Sequence, residues 1–147
     1  MRQMKGYRYI LMIVAVVGCL CSCSKEDDID EIFNGRFKIT SYRCNAQYES
    51  EMFNELYKTN TYYLVFSGRT FTGCLNEGNF ISGTWQADGE NQSVKIGIKE
   101  GRNNDTQLSH IIYNILNNAT NYSGDHNVIR IKQDDDNFID ISSDFEF

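Results

Sequence analysis

The chain has 147 residues, 41% of them apolar and 23% charged, which is the size of one ordinary domain and too polar for an integral membrane protein. Aromatic residues at 13% supply the buried area that offsets chain entropy, so disorder is excluded, and the absence of proline excludes proline-rich linkers. A formal charge of −6 makes nucleic acid a poor partner.

Taken from the N-terminus, Arg2, Lys5 and Arg8 precede an apolar stretch from Tyr9 to Leu20 that ends in Cys21-Ser22-Cys23, the layout of an export signal. The stretch is too short for a spanning helix, which needs about 20 apolar residues. Leu20-Cys21-Ser22-Cys23 resembles the bacterial lipobox, which makes Cys23 the expected lipidated residue; Val16-Val17-Gly18-Cys19 also resembles one, with Cys19 as the alternative. Ser24, Lys25, Glu26, Asp27 and Asp28 look like the acidic export signal of Bacteroidota surface lipoproteins. Residues 1–22 are thus expected to be a lipoprotein signal peptide, 23–31 an acidic tether and 32–147 the folded domain. Loss of the signal removes three basic residues and takes the charge from −6 to −9, so acyl chains alone would hold the membrane. Of five cysteines, only Cys44 and Cys74 lie outside this segment, and in an oxidising envelope they are expected to pair.

Beyond the tether the apolar period is mostly two. Phe37 and Ile39 begin a first strand. Met52, Phe53, Leu56 and Tyr57 suggest a weak helix over Glu51 to Tyr57. Strands follow at Tyr62, Leu64 and Phe66, at Arg69 to Cys74, at Ile81 to Ala87, and at Val94, Ile96 and Ile98. Leu108, Ile111, Ile112, Ile115, Leu116 and Ala119 then make the stripe of one amphipathic helix, with Asn104 or Asp105 as its cap and Gln107 as box partner. Ile129 and Ile131, then Ile139 and Ile141, alternate around Asp134-Asp135-Asp136-Asn137, a hairpin turn. The expected fold is mainly β (α+β), a single curled antiparallel sheet or small barrel with that helix packed on it. If Ile112, Ile115 and Leu116 plug one end against Phe66, Ile96 and Ile131, the interior holds no ligand of useful size.

The order of Phe33-Asn34-Gly35-Arg36-Phe37, Tyr62-Tyr63-Leu64-Val65-Phe66, Thr72-Gly73-Cys74-Leu75-Asn76, Ser82-Gly83-Thr84-Trp85 and Val94-Lys95-Ile96, followed by helix and hairpin, resembles the META-domain family of bacterial envelope lipoproteins. The succession spans roughly Ile32 to Ser142. Leu75 interrupts that family's gly-cys-asn run, and its second cysteine before the helix is missing. The rival resemblance is to a small lipocalin-like lipoprotein.

Chemistry-bearing residues are few. His110 and His126 lack the cysteine or carboxylate spacing of a zinc site, and Asp134, Asp135 and Asp136 lack the glycine and distal glutamate of a calcium loop, so turn and capping roles are expected. Ser67-Gly68 and Ser82-Gly83 lack the setting of a nucleophile elbow. Neither a catalytic set nor a metal or cofactor site is expected. Outward aromatics Tyr48, Tyr57 and Tyr63 are candidates for a sugar- or peptide-stacking surface. The expected function is that of a non-enzymatic, lipid-anchored, monomeric binding domain at the outer-membrane surface, facing an envelope protein or glycan. The alternative is a lipocalin-like barrel holding a small apolar or glycan ligand.

Overall fold

The computed structural model describes residues 25–45, 62–101 and 106–144, with side chains from Ile29 onward in the first of these segments. A helix α1 (Lys25–Ile32) leads into strands β1 (Gly35–Arg43), β2 (Tyr62–Ser67), β3 (Thr70–Leu75), β4 (Phe80–Asp88) and β5 (Ser93–Glu100). Helix α2 (Gln107–Asn117) then precedes β6 (Asn121–Gly124), β7 (Val128–Asp134) and β8 (Asn137–Ser143). Every strand pairs antiparallel with its chain neighbour, and β8 returns to β1, so the sheet closes into an eight-stranded up-and-down barrel. Closure removes the exposed edges that an open sheet of this composition would present.

Alternation decides which side chains fill the interior. Phe37, Leu64, Phe66, Phe71, Ile81, Trp85, Ile96, Ile129, Ile131, Ile139 and Ile141 are buried and form one cluster. In β1 the parity breaks between Ile39 and Tyr42, both buried. A bulge between Ile39 and Ser41 restores it by inserting Thr40, whose hydroxyl donates to the Asp140 carbonyl at 3.2 Å. Gly73 faces inward opposite Leu64 because nothing larger fits: a Cβ there would lie 2.8 Å from Leu64 Cδ2 and from the Tyr63 carbonyl. The β5–β6 seam is short, with Ser93 opposite Asn121 as its one register pair.

Helix α2 packs on β3, β5, β7 and β8 across one end of the barrel. Ile112 and Leu116 are 0% exposed and Ile115 2%. The expected partner Phe66 is not at this end: its ring meets Phe33, Phe37, Phe71 and Trp85 at the other. The cap is Thr106 and not Asn104 or Asp105. Its extended backbone lets Oγ1 accept from the Ser109 N–H at 3.0 Å, which leaves Gln107 at the first helical position, too early for a capping box. Ser109, a fully buried polar residue on the apolar face, donates to the Leu75 carbonyl and so fixes α2 to the end of β3.

Two further features depart from the sequence reading. Residues assigned to an acidic tether form α1, where Ile29, Ile32 and Phe33 share a face at i, i+3 and i+4 spacing and acidic residues suit the N-terminal turn. Strand β6 has too few residues to show a period. The suggested helix over Glu51 to Tyr57 lies outside the described residues. Replacing Ile112 by Ala should lower the unfolding free energy by about 2–5 kcal/mol, as other large-to-small core changes do, measured by urea denaturation.

Candidate functional site

Both mouths of the barrel are shut by side chains. At the end opposite α2, Phe33 is 1% exposed and sits among Phe66, Trp85 and Tyr122, with ring centroids at 5.3, 5.0 and 5.1 Å. Burial raises the Tyr122 phenol pKa, and the Asp88 carboxylate adds to the rise. Two polar contacts hold α1 in place over this aromatic nest. Asp30 pairs with Arg69 of the β2–β3 turn at 2.7 Å, and His126 of the β6–β7 turn donates from Nδ1 to the Ile32 carbonyl at 3.3 Å while its ring packs edge-on to Phe37 at 5.7 Å. An eight-stranded barrel is just wide enough to be filled by side chains or to hold one small ligand. Side chains fill this one.

Four hollows lined by described residues lie on the outer surface. On the outer face of β4 and β5, a cleft of about 410 Å³ is lined by Arg69, Thr84, Trp85, Gln86, Lys95 and Gly97. It runs on, through Gln86 and Lys95, into a second hollow of about 310 Å³ that ends at Asp88 and Ser93. Gly97 stands opposite Thr84 without a side chain, and that omission opens the cleft. A third hollow, of about 290 Å³, lies over β2, β3 and β4 beside Phe80, which is 65% exposed. A fourth, of about 520 Å³, lies at the β7–β8 turn against Asn45 and Asp134 to Asn137.

The residues singled out in the sequence meet different fates. Cys19, Cys23, Ser24, Tyr48 and Tyr57 lie outside the described residues, and Lys25, Glu26, Asp27 and Asp28 form the first turns of α1. Tyr63 faces outward but is half-buried, with the Arg36 guanidinium 4.1 Å from its ring centroid and Arg36 in turn paired to Asp144 at 3.2 Å. Asp134 is used within the turn: its carboxylate accepts from Asp136 N–H at 2.8 Å and Asn137 Nδ2 at 2.9 Å, which lowers its pKa. That stabilisation is present above the ordinary aspartate pKa and is lost as pH falls through the lowered value. His110 is exposed on α2 and accepts from Asn114 Nδ2 at 3.0 Å.

The expected Cys44–Cys74 disulfide is not formed. Register places Lys38 opposite Tyr63 and Tyr63 opposite Cys74. Cys44, six residues beyond Lys38, is therefore displaced by about 20 Å along the sheet at roughly 3.3 Å per residue, against the 7 Å or so that a bridge tolerates. Cys74 shares the outer face with Tyr63 yet is 4% exposed, and its thiol donates to the Asn76 carbonyl at 2.9 Å. Burial pushes its pKa up, partly offset by a backbone hydrogen bond from Gly78 and by Arg36. Sequence reading also missed the surface network in which Asp140 receives Arg130 Nε at 2.7 Å, Arg130 Nη2 at 3.0 Å and Ser41 Oγ at 2.8 Å. Its only trace in the sequence is a lone acid inside an isoleucine strand.

The family model for DUF4847, a domain of unknown function, matches residues 24–141. The chain belongs to the DUF4847 family. A crystal structure of a DUF4847 family protein from Bacteroides vulgatus ATCC 8482, at 1.00 Å resolution, is similar in fold, with a TM-score of 0.62 and 24% identity. The match covers 81% of this chain and 99% of that one. No curated protein matches the sequence. DUF4847 membership replaces the expected META-domain and lipocalin-like assignments. Those rested on short strand-and-turn patterns that any meander of this length produces. With its thiol buried and its pKa raised, Cys74 should resist iodoacetamide at neutral pH in the folded protein and react only on denaturation, as read by intact mass, and unreduced digests should contain no linked Cys44–Cys74 peptide.

Proposed function

We propose that this DUF4847 protein is a lipid-tethered, non-enzymatic binding domain of the bacterial cell envelope that meets its partner with the outside of the barrel. The observation that carries this reading is the packed interior: Phe33 at one end and Ile112 and Leu116 at the other leave the barrel axis to side chains. An apolar guest would have to displace groups whose burial contributes on the order of 2–3 kcal/mol each. Binding at the outer clefts demands no such loss. The tether is supported by the lipobox-like run ending at Cys23 and by the charged residues that follow it, and the DUF4847 relative from Bacteroides vulgatus fits an export signal of the Bacteroidota type. An acidic chain needs such an anchor, because it gains nothing from an anionic lipid surface. The partner is an envelope protein or a glycan, and the domain acts as a monomer.

Replacing Cys23 by Ala should move the protein from the membrane to the soluble fraction, since acyl chains supply the membrane affinity. Retention with acylation would transfer the anchor to Cys19. Changing Lys25, Glu26, Asp27 and Asp28 together to Ala should leave acylation intact and reduce digestion by protease added to whole cells. Native mass spectrometry of protein recovered from membranes should give the acylated chain alone; a stoichiometric apolar adduct released only on unfolding would sink the outer-surface reading.

A further inference from the structure

Of the four outer hollows, the β4–β5 cleft is the one lined by two cations. Arg69 and Lys95 bring two cations to it in a chain of formal charge −6. Arg69 commits Nη1 to Asp30 and lays its guanidinium 5.1 Å from the Trp85 ring centroid, while the remainder of its fork stays available for a second acceptor. Lys95 meets no carboxylate among the described residues. Between them the Thr84 hydroxyl and the Gln86 amide supply two more hydrogen-bonding groups. Trp85 underlies the cleft from the inner side of β4: it is 3% exposed within the aromatic nest, and the Arg69 guanidinium against its ring makes it a reporter of what Arg69 binds.

We propose that this cleft binds the oxyanion of a small acidic molecule, a carboxylate or a sulfate or phosphate ester. The assignment rests on the outer-surface reading above. Arg69 and Lys95 supply charge-assisted hydrogen bonds, Thr84 and Gln86 orient the group, and Gly97 leaves room for the body of the ligand. A volume of about 410 Å³ falls within the range of small-molecule sites, about 300–1,000 Å³. A neutral ligand of the same shape would leave Lys95 unanswered.

Trp85 is the single tryptophan, so its indole N–H gives one resonance in the 15N-labelled full chain held in detergent micelles. The probes are D-glucuronate for a carboxylate, glucose 6-sulfate and glucose 6-phosphate for the esters, and glucose as the uncharged control. At low ionic strength at least one acidic sugar should shift the indole signal saturably, with a Kd of about 1 mM or tighter, and glucose should not. Which acid acts identifies the oxyanion. Lys95→Gln, an exposed change that spares the core, should weaken that binding roughly tenfold, the size of one charge-assisted hydrogen bond. An indole signal that stays still with every acid, that moves equally with glucose, or that titrates identically in Lys95→Gln overturns the assignment. An apolar guest found in the interior would instead overturn the outer-surface reading, whatever the indole does.

Discussion

An eight-stranded barrel has space along its axis for little more than one stack of large side chains, and the rest of this structure depends on who occupies it. Phe33 arrives from outside the sheet and closes a nest with Phe66, Trp85 and Tyr122. The opposite end is taken by Ile112, Ile115 and Leu116 of α2. Each plug is held by polar contacts at its rim: Asp30 to Arg69 and His126 to the Ile32 carbonyl on one side, and on the other Ser109, bonded by Thr106, to the Leu75 carbonyl. The apolar groups supply most of the burial energy, while the polar ones fix where the helices sit.

Filling the interior pushes recognition to the exterior, where the sheet's own irregularities create relief. Gly97 removes a side chain opposite Thr84, and a register shift between Ser82 and Gly83 brings β4 and β5 so close that a Cβ on Gly83 would stand 2.0 Å from the Gly97 carbonyl oxygen. Bulges of this kind re-aim outward side chains and bend the sheet. Gly97 thus opens the cleft, while Gly83 lets β4 and β5 approach at the register shift beside it.

Much of the fold was legible because burial on one face of a strand forces a period of two. Phe37, Leu64, Phe66, Val94, Ile96, Ile129, Ile131, Ile139 and Ile141 announced their strands, and the α2 stripe announced its helix. What stayed hidden was fixed by tertiary contacts. Helix α1 exists because Ile29 and Phe33 find a mouth to close, and β6 because β7 supplies a partner. The cap is Thr106, whose extended backbone the sequence does not reveal, in place of Asn104 or Asp105, and Ser109 was masked by its apolar neighbours. The cleft was illegible for a similar reason. Arg69, Thr84, Gln86 and Lys95 come from three separate segments, and none forms a motif alone. Cys44 and Cys74 misled because their count suggested a pair while their register kept them apart.

The barrel is closed by its first and last strands. Thr40 and Asp140, bonded across that seam, are 100 residues apart in the chain. Until β8 is available, β1 has β2 as its only neighbour, and the row that joins Ser41 to Asp140 has nothing to bond. Closing so long a loop carries an entropic cost that must be met before the pairing rewards it, which makes non-local β topologies slow to fold. For a chain that emerges N-terminus first, the timing of that seam is set by β8. However early α1 and the first hairpins form, the cylinder cannot close before the segment from Asn137 to Ser143 is available to β1.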